Sequence, residues 1–286
     1  MASIDPSGPN ADQIAYWNGR NAEKWVAFQE SMDRMLAPMS AHAMDTAEIA
    51  IGQRAVDIGC GCGGTSIELA GRVGPSGAVL GVDISGPMLN RARQRVAALS
   101  GHTIDFLQAD ASTHAFDGDA DQAFSRFGVM FFQDAVAAFR NIAGALKPGG
   151  RFTFVCWAEA AANPWRSLPI SVADRHVDLP EPAAPGGPGP FSLSDKERPH
   201  SLLSEAGFED IRIERDERGL LIGATIDAAA AHAVQLGPLG NIMRDATPEA
   251  QDAVARDMRA ALARHMEKDG VRLGAATWIV TARRPG

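Results

Sequence analysis

Tyrosine is nearly absent, cysteine is scarce, and long apolar runs are missing from this sequence of 286 residues. Its three cysteines, Cys60, Cys62 and Cys156, are too few for a disulfide framework. Cys60-x-Cys62 lacks the second ligand pair that a zinc site wants, so no metal is expected. No run reaches the roughly 20 apolar residues that cross a bilayer. Met1–Asn10 has no basic stretch followed by an apolar one, so no secretory leader and a cytoplasmic location are expected. Bases are outnumbered, 27 against 35 acids, for a formal net charge of −8, and they form no dense cluster. A nucleic-acid partner is therefore not expected. Arg91, Arg93 and Arg95 read as one solvated helix face. None of the seven histidines stands in a diagnostic position, so no catalytic acid–base pair is assigned.

What is present begins at Ala55–Thr65, Ala-Val-Asp-Ile-Gly-Cys-Gly-Cys-Gly-Gly-Thr. A short apolar run carrying one acid suits a buried parallel strand. Alternating glycines then lead into a helical pattern, and without Cβ atoms such a bend lets backbone approach a ligand closely. Two templates fit. Gly59, Gly61 and Gly64 satisfy G-x-G-x-x-G, with Asp83 at about the 20-residue offset of a dinucleotide site. Asp57, Gly59, Gly61 and Gly63 equally satisfy an acid-x-G-x-G-x-G loop. These glycines alone do not separate them.

Around this stretch the chain alternates strand and helix. Residues 12–38 read as helical, ending near Pro38, and 40–50 as a second helix. Trp17 and Trp25 make this segment, taken as an N-terminal cap over residues 1–50, a candidate lid. Strands are expected at 55–58, 78–82, 103–107, 121–126 and 151–157, the last after Pro148-Gly149-Gly150. Ser85 is placed to cap the helix that carries Met88, Leu89, Ala92, Val96 and Leu99 at helical spacing. Ala135–Leu146 is the next helix. This alternation argues for an α/β, doubly wound sheet, in which ligands bind outside the carboxyl ends of the strands. Asp57, Asp83, Asp110 and Ser125 all fall at those ends.

Four segments in this order resemble the class I S-adenosylmethionine-dependent methyltransferases, in particular the ubiquinone/menaquinone-biosynthesis-like group that acts on small molecules. They are Val56–Gly63, Gly81–Ser85, Ala109–Ala111 and Leu146–Gly150. The resemblance runs from Ala55 to Trp157 and implies a Rossmann-like, seven-stranded sheet with an antiparallel last strand. It further implies S-adenosylmethionine as cofactor, S-adenosylhomocysteine as product, and a small-molecule acceptor. Asp83 would accept both ribose hydroxyls, since a carboxylate has two acceptor oxygens. Ile84 and Met88 would flank adenine and ribose, Asp110 would accept from the adenine amino group, and the Ala111 amide would donate to the ring. Asp57 would orient the loop or meet the ammonium of the methionine end, which the Ser125 backbone could also face.

On the acceptor side, an arginine at 126 departs from the polar or acidic residue often found in the family. It either pairs with an acceptor carboxylate or binds an internal acid. Phe127, Trp157, Asn163 and Trp165 complete the candidate substrate pocket, although Phe127 also suits a core. Residues 163–200 are expected to be an acceptor-side loop, with 180–190, rich in proline and glycine, extended within it. A helix is expected at 195–206 and late strands at 210–214 and 275–281. The intervening 223–272, with helices at 227–236 and 247–268, reads as an insertion in the 51–286 domain that covers the acceptor side or makes a homodimer contact.

Overall fold

The computed structural model describes residues 4, 6–180, 187–235 and 239–286. Residues 181–186, which hold most of the proline- and glycine-rich stretch, and Leu236 lie outside the described residues. Among the described residues, no helix is long and apolar enough to cross a membrane. The chain divides into two compact units. One comprises Met1–Trp157, Gly186–Arg215 and Trp278–Gly286, and the other Ala158–Pro185 and Asp216–Thr277.

The first unit begins with helices α1 (Ala11–Asn18), α2 (Arg20–Ala27) and α3 (Gln29–Thr46). Pro38, expected to end a helix, lies inside α3. The carbonyl that loses its amide partner there belongs to Arg34, and both residues are exposed, so water can take the place of the missing bond.

After these come β1 (Arg54–Ile58), α4 (Gly64–Val73), β2 (Ala78–Asp83), α5 (Gly86–Val96), β3 (Thr103–Gln108), β4 (Ala120–Arg126), α6 (Ala135–Ala145) and β5 (Leu146–Trp157). The Ser85 hydroxyl does cap α5, accepting from Met88 N at 3.4 Å, and Asp134 caps α6. β5 starts earlier than expected. Ala120 pairs with Leu146 and Gln122 with Arg151, so the Pro148-Gly149-Gly150 turn survives as an irregularity within the strand.

The sheet order is β3-β2-β1-β4-β5-β8-β6, with parallel pairing from β3 through β5. The order reverses between β1 and β4, which opens a crevice at their carboxyl ends. Beneath it, Ala43, Leu69, Val79, Phe124, Val155 and Ile279 form a buried cluster. Fully burying each large member contributes about 1.5–3 kcal/mol.

The late strands are longer than expected. They are β6 (Glu209–Gly223) and β8 (Gly270–Arg283), with α8 (Glu197–Glu205) before them. Gly149 N donates to Arg284 O at 3.0 Å and Arg284 N to Gly150 O at 2.9 Å, so β8 runs antiparallel to β5. β6 ends the sheet, and Glu209–Arg218 is charged except at Ile211 and Ile213, which discourages further strand pairing at an edge.

The second unit holds α7 (Pro164–Ala173), α9 (Ile226–Gln235), α10 (Leu239–Asp245) and α11 (Pro248–Leu262), with α11 packed on α9 and α7. A loop was expected at the position of α7, although Pro164 at its first turn is a helix-start signal. Thr247 and Pro248 start α11 as expected, but it stops at Leu262. β7 (Met266–Glu267) then forms an eighth strand, paired antiparallel with β8. The two-residue turn between them is Lys268-Asp269, and Glu267 pairs with Gly270, so a hairpin stands where the helical spacing of 247–268 was expected to continue.

Candidate functional site

The crevice is built from backbone first. Gly59, Gly61 and Gly63 take φ of 68°, 54° and 77°, values that side chains disfavour. A Cβ on Gly59 would stand 2.9 Å from Gly128 Cα, so the loops leaving β1 and β4 touch at the switch point. A Cβ on Gly61 would meet Met88 Cε at 2.8 Å.

Two strand-end carboxylates, Asp57 and Asp83, hold this bend, and a third, Asp110, follows β3. Asp57 is fully buried, and its Oδ2 accepts from Thr65 Oγ1 and Ser66 Oγ, both at 2.6 Å. It therefore pins the first turn of α4, while its Oδ1 has no hydrogen-bond partner among the described residues. Burial pushes Asp57 up to about 6, although the two hydroxyls pull it down. Asp83 Oδ2 accepts from Gly61 N at 2.7 Å and Oδ1 from Ser85 N at 2.8 Å. Burial raises this carboxyl too, opposed by those amides. Asp83 thus ties the glycine bend to the start of α5, and each oxygen keeps a further lone pair. Asp110 is bound by Ser112 and by Asn10. Ala111 is buried, and its carbonyl accepts from Asn141 Nδ2 at 2.8 Å.

Among the other expected cofactor contacts, Ile84 and Met88 flank this bend. Ile84 O accepts from Asn18 Nδ2 and Gln108 Nε2. Met88 and Cys62 are buried beneath Trp17 and Trp25, whose ring centroids lie 6.0 Å apart. The aromatic cap therefore packs on the glycine bend itself. Ser125 is fully buried and its hydroxyl, like Asp57 Oδ1, is unpartnered among the described residues.

Arg126 resolves to one of its two expected roles. Its guanidinium donates to Ser40 Oγ at 2.8 Å and lies 3.6 Å from Asp33 Oδ1, so it binds an internal acid. Asp33 also pairs with Arg95 at 2.9 Å, and Arg95 donates to Cys62 O at 2.6 Å. This makes Arg95 a tie to the glycine loop, where a solvated face was expected. Phe127 has φ of 63°, unusual for a bulky residue, and stacks on Trp157 at 4.1 Å. Both belong to the first unit.

Asn163 and Trp165 belong to the second unit. Asn163 is fully buried, donating to the carbonyls of Ala158, Glu159 and Ala276 and accepting from Ala276 N and Trp165 Nε1. Its carboxamide is fully engaged inside that unit, which corrects the expectation that it orients an acceptor.

Asn10, Asn18, Asp33, Thr65 and Ser66 were not expected at the site. Thr65 and Ser66 follow the glycines directly and could have been read as loop anchors. The three N-terminal residues carry no local signal, because the partners that bring them to the site lie 66 or more positions away for Asn18 and 100 or more for Asn10.

Residues 55–150 match a family described as methyltransferase domain. Aklanonic acid methyltransferase DauC of Streptomyces sp. (strain C5) is 35% identical over 118 residues, 41% of this chain and 54% of that protein. Demethylmenaquinone methyltransferase of Staphylococcus epidermidis is 34% identical over 110 residues, 38% of this chain and 45% of that protein. The chain thus matches about half the length of these relatives. Among solved structures, the cyclase SpnF superposes with a TM-score of 0.58 at 19% identity, covering 99% of both chains. That likeness concerns the fold alone.

Proposed function

We infer that this chain, which belongs to the class I S-adenosylmethionine-dependent methyltransferases through its domain at residues 55–150, transfers a methyl group from that cofactor to a small-molecule acceptor. One observation carries the reading. Two strand-end acids, Asp57 and Asp83, hold a glycine bend with two unpartnered buried oxygens, Asp57 Oδ1 and Ser125 Oγ, beside it, and Asp110 follows Ala109, whose amide donates to Asp83 O. An adenosyl-amino acid fits that donor set, because it brings an ammonium, a ribose diol and an exocyclic amine to be accepted. A redox dinucleotide would bring a pyrophosphate to a bend flanked by carboxylates.

When bound, the cofactor supplies a methyl group activated on sulfonium. The chain's residues then bind, orient and exclude water. Alignment of this kind contributes roughly 7–11 kcal/mol, so no acid–base pair is required. In this reading Asp83 holds the ribose, Asp57 and the Ser125 region the ammonium, and Ile84 and Met88 the apolar walls. Asp110 and Ala111 read adenine, and Trp17 and Trp25 close over the bend. Arg126 and Phe127 shape the wall below Trp157, the nearest residue assigned to the acceptor. Acceptor choice is assigned to segments outside the matched domain, including 223–272, which also accounts for acceptors that differ among relatives.

Calorimetry with S-adenosylhomocysteine and NAD⁺ tests the cofactor, and turnover of labelled S-adenosylmethionine with a panel of hydroxylated and amino metabolites tests the transfer. Binding of NAD⁺ in preference would overturn the reading. Cofactor binding without label transfer to any acceptor would reduce it to a binding protein.

A further inference from the structure

The Asp110 carboxylate offers about four lone-pair directions. All are engaged. Ser112 N and Ser112 Oγ donate to Oδ1 at 2.8 and 2.7 Å, and Asn10 Nδ2 reaches Oδ1 at 3.0 Å and Oδ2 at 2.9 Å. The two serine donors lie two residues along the same turn and move with Asp110. Asn10 is 100 residues away in sequence and sits at the N-cap position of α1.

The chemistry of Asn10 is equally specific. Its carboxamide presents an amino group to Asp110 and, on the adjacent oxygen, accepts from Gln133 N at 2.9 Å. Adenine presents the same pair, an exocyclic amine next to a ring acceptor. Asn10 is 4% exposed, so this is a built contact and not a surface one. At the far end of α1, the Asn18 carboxamide bridges Ile84 O and Gly86 N, each at 3.0 Å. The helix is thereby held at both ends to segments assigned to adenosine.

We propose that Asn10 is a latch whose carboxamide stands in for adenine, so that adenosyl-ligand binding and release of the α1 start from Asp110 are one linked event. The inference rests on the cofactor reading above and adds its regulation. An adenine amine that takes the place of Asn10 at Oδ2 must displace it, and the protein's affinity is reduced by the fraction of molecules in which the latch is closed. Trp17, on the same helix and 5.4 Å from Phe131, reports the release.

The test uses the full chain and S-adenosylhomocysteine. Asn10→Ala removes the latch, and Asn10→Asp sets a second carboxylate against Asp110. Both should bind the ligand about tenfold more tightly than the parent, since a hydrogen bond to a charged group is worth roughly that much. In the parent alone, adding ligand should shift tryptophan emission toward the spectrum of free Asn10→Ala. A parent that binds while both variants bind equally or more weakly overturns the latch and leaves the cofactor reading standing. Ligand binding with no emission change in the parent also overturns it. If neither parent nor variants bind, both inferences fall. Binding by the variants alone supports the latch in its strongest form.

Discussion

The two compact units use polar side chains in opposite ways. In the first, carboxylates at strand ends hold backbone amides and hydroxyls of other segments, and four buried side-chain oxygens, on Asp57, Gln122, Ser125 and Thr153, are left without partners among the described residues. In the second, the fully buried Asn163 has every group engaged within its own unit. Buried polar groups are normally satisfied, and exceptions call for a functional explanation. The difference sets Asp57, Asp83 and Ser125, proposed above to meet ligand, against Asn163, which is spent on its own unit.

The sharpest way to break this comparison is at Asp83. Asp83→Ala removes both the proposed ribose acceptor and the anchors of Gly61 and Ser85. Affinity for S-adenosylhomocysteine should fall by about 10²-fold or more, as expected for two lost charge-assisted bonds. Unchanged affinity by calorimetry would dissolve the contrast between the units. Gly59→Ala comes next. Its positive φ and the backbone 2.9 Å away should cost about 2–4 kcal/mol in denaturant unfolding and abolish ligand binding.

Asn163→Ala tests the other side. Orphaning the Ala276 amide and the Trp165 indole should destabilise the protein by about 2–3 kcal/mol. Ligand affinity at a temperature where the variant is folded should equal the parent's. A selective loss of affinity would show that Asn163 serves the site after all.

The smallest effect concerns pH. Burial holds Asp57 near 6, above its ordinary 3.8, so ionising it costs the folded state. Its contribution to stability is intact below about pH 3.8 and is lost as pH rises through about 6. Asp57→Asn has no such titration. The melting temperature of the parent should therefore fall relative to that variant between pH 4 and 7, and parallel curves would show Asp57 to be ionised throughout.

Legibility in the sequence follows the same division. Gly59, Gly61, Gly63, Asp57 and Asp83 were readable because backbone torsions and strand ends restrict which residues can stand there. The parallel core was readable from its apolar runs, even where β4 is poor in strand formers. Asn10, Asn18 and Asp33 were not, because nothing within a few residues of them specifies a partner far along the chain. In the second unit, α7 and α10 were missed and α11 was overextended. Helical spacing marks a buried face but not its ends.

The two thiols inside the glycine bend have a practical consequence. Burial raises Cys60 well above the ordinary thiol range and Cys62 to about 12, so neither forms thiolate at neutral pH while the cap stays packed. Alkylating reagents should be nearly silent toward the resting protein. The rate at which iodoacetamide modifies Cys62, beneath Trp17 and Trp25, then becomes a clock for how often the aromatic cap lifts.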